Sequence, residues 1–163
     1  MSENYQLSDT DRLLCRLLEE NARLSLTELS ERVGLSVTAT SDHIRKLERA
    51  GIITGYHAHL SPAALGLDIT AFVFVWVEGS ANYPSFIARC KKEPAIAECH
   101  AITGEASHLL KVRVPNTAAL EALLSTIQRW RGVQRTQTSL VLSTPLETTQ
   151  LLRTVSPTPR RSS

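Results

Sequence analysis

The run Ala71–Val77, inside the segment "ITAFVFVWVE", is the longest uninterrupted apolar stretch in the chain, and it has the length of a strand. Successive side chains of a strand point to opposite faces of its sheet. Phe72, Phe74 and Trp76 therefore share one face, and Val73, Val75 and Val77 share the other. A sheet built around this strand must be covered on both sides.

The residues that follow set the topology. "YPSFIARCKK" predicts a helix, with Pro84 in its first turn and Pro94 beyond its end. "IAECHAIT" and "SHLLKVRV" predict two strands around a tight "GEA" turn. "TAALEALLSTIQRW" is amphipathic, with Leu120, Leu123, Leu124 and Ile127 on one side. "VQRTQTSLVLS" predicts a last strand. The order is β-α-β-β-α-β, the ferredoxin-like split unit. Two helices cover only one face of its sheet, and no strands remain to cover the other. Sheet-on-sheet dimerisation is the expected solution, with either row of the first strand open to the partner.

The N-terminal third is helical. Leu13, Leu14, Leu17 and Leu18 make an apolar stripe on a helix over 9–21, capped by Ser8 or Asp9. Ser25 and Glu28 have capping-box spacing, Leu26, Leu29 and Val33 are the inward positions, and Gly34 closes the second helix. Ser36 opens a third helix that runs to Ala50, with Val37, Thr40, Ile44 and Leu47 as its buried stripe. Thr38, Asp42, Arg45 and Arg49 lie opposite. Three helices, the last two joined by a glycine turn, make a helix-turn-helix, whose second helix enters the major groove. The candidate DNA-contacting residues are Ser36, Thr38, Ser41, Asp42, Arg45, Lys46 and Arg49. Hydroxyls there donate or accept, and the basic side chains reach bases or phosphates. Asp42 repels phosphate and is read as a base-edge acceptor or an orienter of Arg45. A packed helical hairpin without DNA contact is the plainer alternative.

The fold class is thus α+β: a helix-turn-helix (winged-helix-like) domain over residues 1–51 and a ferredoxin-like domain over 69–147. Residues 52–68 are the connection, in which "IITGYHAHLSP" alternates as a bridging strand would. Residues 148–163 are polar, Pro-rich and basic, and are expected to be disordered; Arg160 and Arg161 in that tail are within reach of DNA only as a lesser possibility.

Composition bears on the partner. The first 60 residues hold seven Lys/Arg against nine Asp/Glu, so a single copy is a poor phosphate binder and several linked copies are expected to act together. No apolar stretch is long enough to span a membrane, and "MSENYQLSD" lacks the pattern of a secretory signal, which points to the cytoplasm. Cys15, Cys90 and Cys99 are odd in number and widely spaced, and read as small hydrophobes in a reducing compartment. His57 and His59 alternate on one segment, and His100 and His108 fall on neighbouring strands, without the spacing of a metal site. No nucleophile motif, phosphate loop or dinucleotide fingerprint is present, so no cofactor is expected.

"LSDTDRLLCRLLEENARLSLTELSERVGLS", "IRKLERAGIITGYHAHLSPAALG", "ECHAITGE", "LLKVRVPN" and "GVQRTQT" occur in this order over about residues 7–147. In them the chain resembles the leucine-responsive regulatory protein/AsnC family, the feast/famine regulators. The resemblance implies a DNA-binding regulator of transcription that assembles from dimers into tetramers, octamers or larger rings and often responds to an amino acid. It also implies an effector site of Thr103, Gly104, Glu105, Ala106, Ser107 and His108, with hydroxyls from Thr136 and Thr138. Backbone groups at Gly104 and Ala106 would hold a carboxylate, and Glu105 an ammonium. The chain departs from the family at Val37, where proline is frequent, and at Asp42 and His43, where arginine is frequent. It departs again at Gly104–His108, where the family often reads G-D-Y-D-Y. Ser107 lacks the second acidic charge, so the expectation is weak amino-acid binding, another effector, or none. Two further readings fit the same outline: sirohaem decarboxylases, which resemble this family in both domains, and an architectural DNA-wrapping protein without effector.

Overall fold

The computed structural model describes residues 5–152. The described residues divide into two compact units, one of residues 5–59 with 146–152, the other of residues 60–145. Residues 148–152 of the expected tail therefore belong to the first unit: the Leu151 and Leu152 N–H groups donate to Glu19 at 2.8 and 3.3 Å. The rest of that tail, Arg160 and Arg161 included, lies outside the described residues. No helix among the described residues is long and apolar enough to cross a membrane.

In the first unit, α1 spans Asp9–Glu20, α2 Leu26–Val33 and α3 Val37–Arg49. Side-chain caps start all three, from Ser8, Ser25 and Ser36, and each hydroxyl accepts an N–H that the helix itself leaves unpaired. Gly34 ends α2 at φ 70°, a left-handed conformation that costs a side-chain-bearing residue about 1–2 kcal/mol. That turn lets α3 begin three residues later. Leu14, Leu29, Ile44 and Leu47 form the core between the helices. Leu13, Leu26 and Val37, expected on the inward stripes, are instead 38%, 40% and 43% exposed. Leu26 and Val37 open their helices, where the neighbouring helix no longer overlaps them, and a three-helix core is too small to bury both flanks of each stripe.

The strand expected over "IITGYHAHLSP" does not form. Ile52 and Ile53 fold back instead, their N–H groups donating to the Leu47 carbonyl at 2.9 and 3.2 Å. The remaining alternation has no neighbouring ladder within its unit, and a lone strand has nothing to satisfy its backbone.

The second unit holds β1 Ile69–Val77, α4 Tyr83–Cys90, β2 Ile96–Ala101, β3 His108–Val114, α5 Thr117–Gln128 and β4 Val133–Leu140. The sheet order is β2-β3-β1-β4 with every neighbouring pair antiparallel, the expected ferredoxin-like arrangement. Both helices lie on one face. Val73, Val75, Leu110 and Val112 are fully buried there beneath Phe86 of α4 and Leu123 and Ile127 of α5. The register therefore decides which row of β1 is left open: Phe72, Phe74 and Trp76, level with Lys111 and Leu109 of β3 and with Ser139, Gln137 and Arg135 of β4. The expected tight "GEA" turn is a six-residue connection, 102–107, closed by the Ile102 N–H donating to the Ser107 carbonyl at 3.1 Å, while the Ser107 hydroxyl bonds β1.

Candidate nucleic-acid interface

Thr40, Ile44 and Leu47 are the buried residues of α3, and they turn its opposite side outward. Thr40 is buried without penalty because its hydroxyl donates to the Ser36 carbonyl at 3.0 Å. Thr38, Asp42, Arg45, Lys46 and Arg49 are exposed, as is Ser36 at the cap, and Ser41 is half-buried at the edge of the strip. All seven sequence candidates thus sit on one helix and its cap. Arg45 approaches Asp42 to only 4.0 Å, with both side chains more than half exposed. Such a pair is loose enough for either partner to turn to another ligand. Two basic residues, Lys46 and Arg49, lie in the last turn, where they also complement the helix dipole.

One contact that fixes α3 escaped the sequence reading. Asp11 of α1 is 2% exposed and takes part in the cap of its own helix, accepting from the Ser8 N–H and hydroxyl. Its other oxygen lies 2.7 Å from His43 Nδ1 on α3. Burial opposes ionisation of this carboxyl, yet the hydrogen bonds from Ser8 and His43 outweigh burial and hold Asp11 below the usual carboxylate range. The link sets α3 relative to α1. Its visible signal was the S-x-x-D spacing of Ser8 and Asp11, a capping box like that of α2.

In the second unit the structure separates the proposed effector residues. Thr103, Gly104 and Glu105 are exposed on the connection, and Gly104 adopts φ 111°. Ala106 is 5% exposed. Ser107 is committed to β1: its hydroxyl donates to the Val75 carbonyl at 2.9 Å and accepts the Val77 N–H at 3.0 Å. His108 corrects the expectation most. It is 1% exposed and points into the helix-covered core, its ring 4.7 Å from that of Tyr83 and 4.8 Å from that of Phe86. Because the Ser107 hydroxyl hydrogen is engaged with Val75, His108 Nδ1 donates to it at 3.0 Å, and Nε2 is left buried without a partner. Burial lowers the His108 pKa. Thr136 and Thr138 pair with Val75 and Val73 and so also face the helices; Thr136 accepts from Gln128 Nε2 of α5 at 2.9 Å. Five of the eight residues lie on the connection, at 103–107, and only three of those reach solvent freely.

The open sheet face is the other candidate surface. Phe72, Phe74 and Trp76 are half-buried, and the Arg135 guanidinium lies 4.3 Å over the Trp76 ring. At the β2 side, Glu98 accepts from Lys111 at 3.2 Å and lies 3.0 Å from His100 Nε2. His100 on this face and His108 on the other cannot share a ligand, and among the described residues no three His, Cys, Asp or Glu side chains are placed to hold a metal. A groove beside α5, lined by Leu67, Pro94, Ala97, Ala122 and Thr126, carries only Glu93 and Arg113 as charged groups and no histidine, a poor match to a many-carboxylate tetrapyrrole.

Residues 7–54 match the family of winged helix-turn-helix DNA-binding domains, and residues 70–151 match the Lrp/AsnC ligand binding domain. The HTH-type transcriptional regulator LrpA of Mycobacterium tuberculosis is 37% identical over 86% of this chain and 93% of its own length. The leucine-responsive regulatory protein of Salmonella typhimurium is 37% identical over 90% and 91%. Among solved structures, a transcriptional regulator of Neisseria meningitidis in complex with L-methionine superposes with a TM-score of 0.85 at 36% identity, covering 90% of this chain and 96% of its own. Both halves of the chain, in the same order and over nearly its whole length, thus have the same relatives: the protein is a DNA-binding transcriptional regulator of the Lrp/AsnC family.

Proposed function

We propose that α3 reads the major groove through Thr38, Ser41, Asp42, Arg45, Lys46 and Arg49, with Ser36 at its cap near the phosphates. The observation that carries this reading is the outward strip itself, held from beneath by Thr40, Ile44 and Leu47 and from the side by Asp11 and His43. Arg45 and Lys46 supply guanine-edge or phosphate contacts. The protein acts by binding in the cytoplasm, not by catalysis. Copies join through the Phe72–Phe74–Trp76 face, and joined copies give the avidity that the first 60 residues, with seven Lys/Arg against nine Asp/Glu, cannot reach alone. Fragmented genomic DNA passed over the purified protein tests this reading. Recovered fragments should share a sequence motif and should release as salt is raised. Recovery of fragments without a common motif would instead support a DNA-wrapping role.

The effector reading follows from the relatives, two of whose solved structures carry L-methionine. For this chain we infer an amino acid held at Thr103–Glu105, with Glu105 toward its ammonium and Ser107 and His108 shaping the connection from behind. A hydrogen bond to a charged group contributes roughly 1.5–3 kcal/mol. Without a second acid at position 107, affinity should therefore be about ten- to a hundred-fold weaker than a two-acid site gives. A thermal-shift screen of the amino acids checks this. Ligand at about 100 times its dissociation constant should add about 2.7 kcal/mol of stability. A large shift at micromolar ligand, unchanged in Glu105→Ala, would place the site elsewhere.

A further inference from the structure

Cys90 and Cys99 are brought together by the fold in a way their sequence spacing does not announce. Cys90 is the last residue of α4 and is 3% exposed beneath it. Cys99 pairs with the fully buried Leu110, so its side chain points to the same, helix-covered side of the sheet. Both pack in one core cluster on that side of the sheet, Cys90 within it and Cys99 against it. β2 is an edge strand, and Cys99 is only half-buried, so small solutes reach it while Cys90 stays behind it. Being on the helix side, Cys99 is also clear of the open sheet face.

We propose that Cys99 and Cys90 form a peroxide-reactive dithiol, a modification site at which a hydroperoxide converts the pair to an intramolecular disulfide joining the end of α4 to β2. Cys99 is the attacking sulfur. Its thiolate bonds the outer oxygen of the hydroperoxide; the O–O bond breaks, hydroxide leaves and is protonated to water. Cys99 is then a sulfenic acid. Cys90 gives up its proton and attacks the Cys99 sulfur; the S–S bond forms, the S–O bond breaks and a second water leaves. Two thiols lose two electrons and two protons, and hydrogen peroxide becomes two waters.

The environments divide these roles. The hydrogen bond from Cys90 favours the Cys99 thiolate, and with His100 nearby its pKa is pushed down to about 7. The same bond and burial push the Cys90 thiol up. Cys15 in the first unit is an internal control, raised by burial and by Asp11 and Glu19.

The test uses the full chain treated with hydrogen peroxide, blocked with an alkylating agent and digested with trypsin, which cleaves between the two cysteines after Lys91 and Lys92. The expected product is a disulfide joining the Cys90 and Cys99 peptides, formed faster than Cys15 is oxidised and reversed by a dithiol reductant. In Cys90→Ser, a cyclic diketone should trap sulfenic acid at Cys99. In Cys99→Ser, Cys90 should stay a thiol. The pH profile of Cys99 alkylation in the unmodified protein reads the same assignment without any substitution, and should rise at lower pH than that of Cys15. Oxidation of Cys99 no faster than Cys15, oxidation of Cys90 in the absence of Cys99, or a disulfide formed only between chains would each overturn the proposal.

Discussion

Asp11 ties α1 to α3 through its contact with His43. Replacing it with asparagine keeps its size but removes the charge that Ser8 and His43 address. Asp11→Asn should cost about 1.5–3 kcal/mol in denaturant unfolding, the worth of hydrogen bonds to a charged group. A double-mutant cycle with His43→Ala should return a coupling of about 1–2 kcal/mol; additive losses would mean that the two residues act separately. The pH dependence has a definite sign. The folded-state pKa of Asp11 is depressed, so its contribution is complete above the ordinary carboxylate value and is lost as pH falls through the folded value. His108 acts at milder pH. Its folded pKa is lowered by burial, so the unfolded chain takes up a proton first, and stability falls as pH drops below the ordinary histidine value of about 6.5. His108→Leu should flatten the stability profile between pH 7 and pH 5 and cost little at pH 7, because the orphaned Nε2 leaves with the ring. An unchanged slope in thermal melts of that variant would assign the pH response to another group.

At the scale of elements, the open row of β1 carries the strongest prediction. Phe72, Phe74 and Trp76 lie outside the helix-covered core, so charging them should spare the fold. A two-fold interface uses each side chain twice, and each large apolar side chain buried contributes about 1.5–3 kcal/mol. Phe72→Lys with Phe74→Lys should therefore halve the mass of the dimer in light scattering while leaving the circular dichroism of the monomer intact. An unmodified protein that is a monomer at micromolar concentration would remove the basis for this. The elements themselves were legible because their signals are local: the serine caps, Gly34, Pro84 and the alternation of β1 all act within a few residues. Which row of β1 the helices cover was not legible, since both rows are apolar and the choice is made by register with β3 and β4. The strand expected at 52–60 had the right alternation, but a ladder needs a partner that composition does not reveal. The burial of several effector candidates was not legible for a related reason. Motif position places His108, Thr136 and Thr138 near the connection, whereas the pleat turns their side chains to the helix side of the sheet, His108 into the core itself.

At the scale of the whole molecule, the proposed function depends on α3 binding DNA weakly in one copy and usefully in several. Arg45 is well exposed and tied only loosely to Asp42, so its replacement should leave the fold untouched and act on DNA alone. A fluorescence-anisotropy titration of the best selected genomic duplex, at fixed salt, with the unmodified protein, Arg45→Ala and Arg45→Ala with Thr38→Ala, tests the central claim directly. The account predicts a loss of about 1–3 kcal/mol, roughly ten- to a hundred-fold, for Arg45→Ala if it makes a bidentate base contact. The double variant should bind selected and random duplexes alike. Equal affinity of all three proteins for the selected duplex, with its preference over random DNA preserved, would show that the strip on α3 is not the surface that reads DNA.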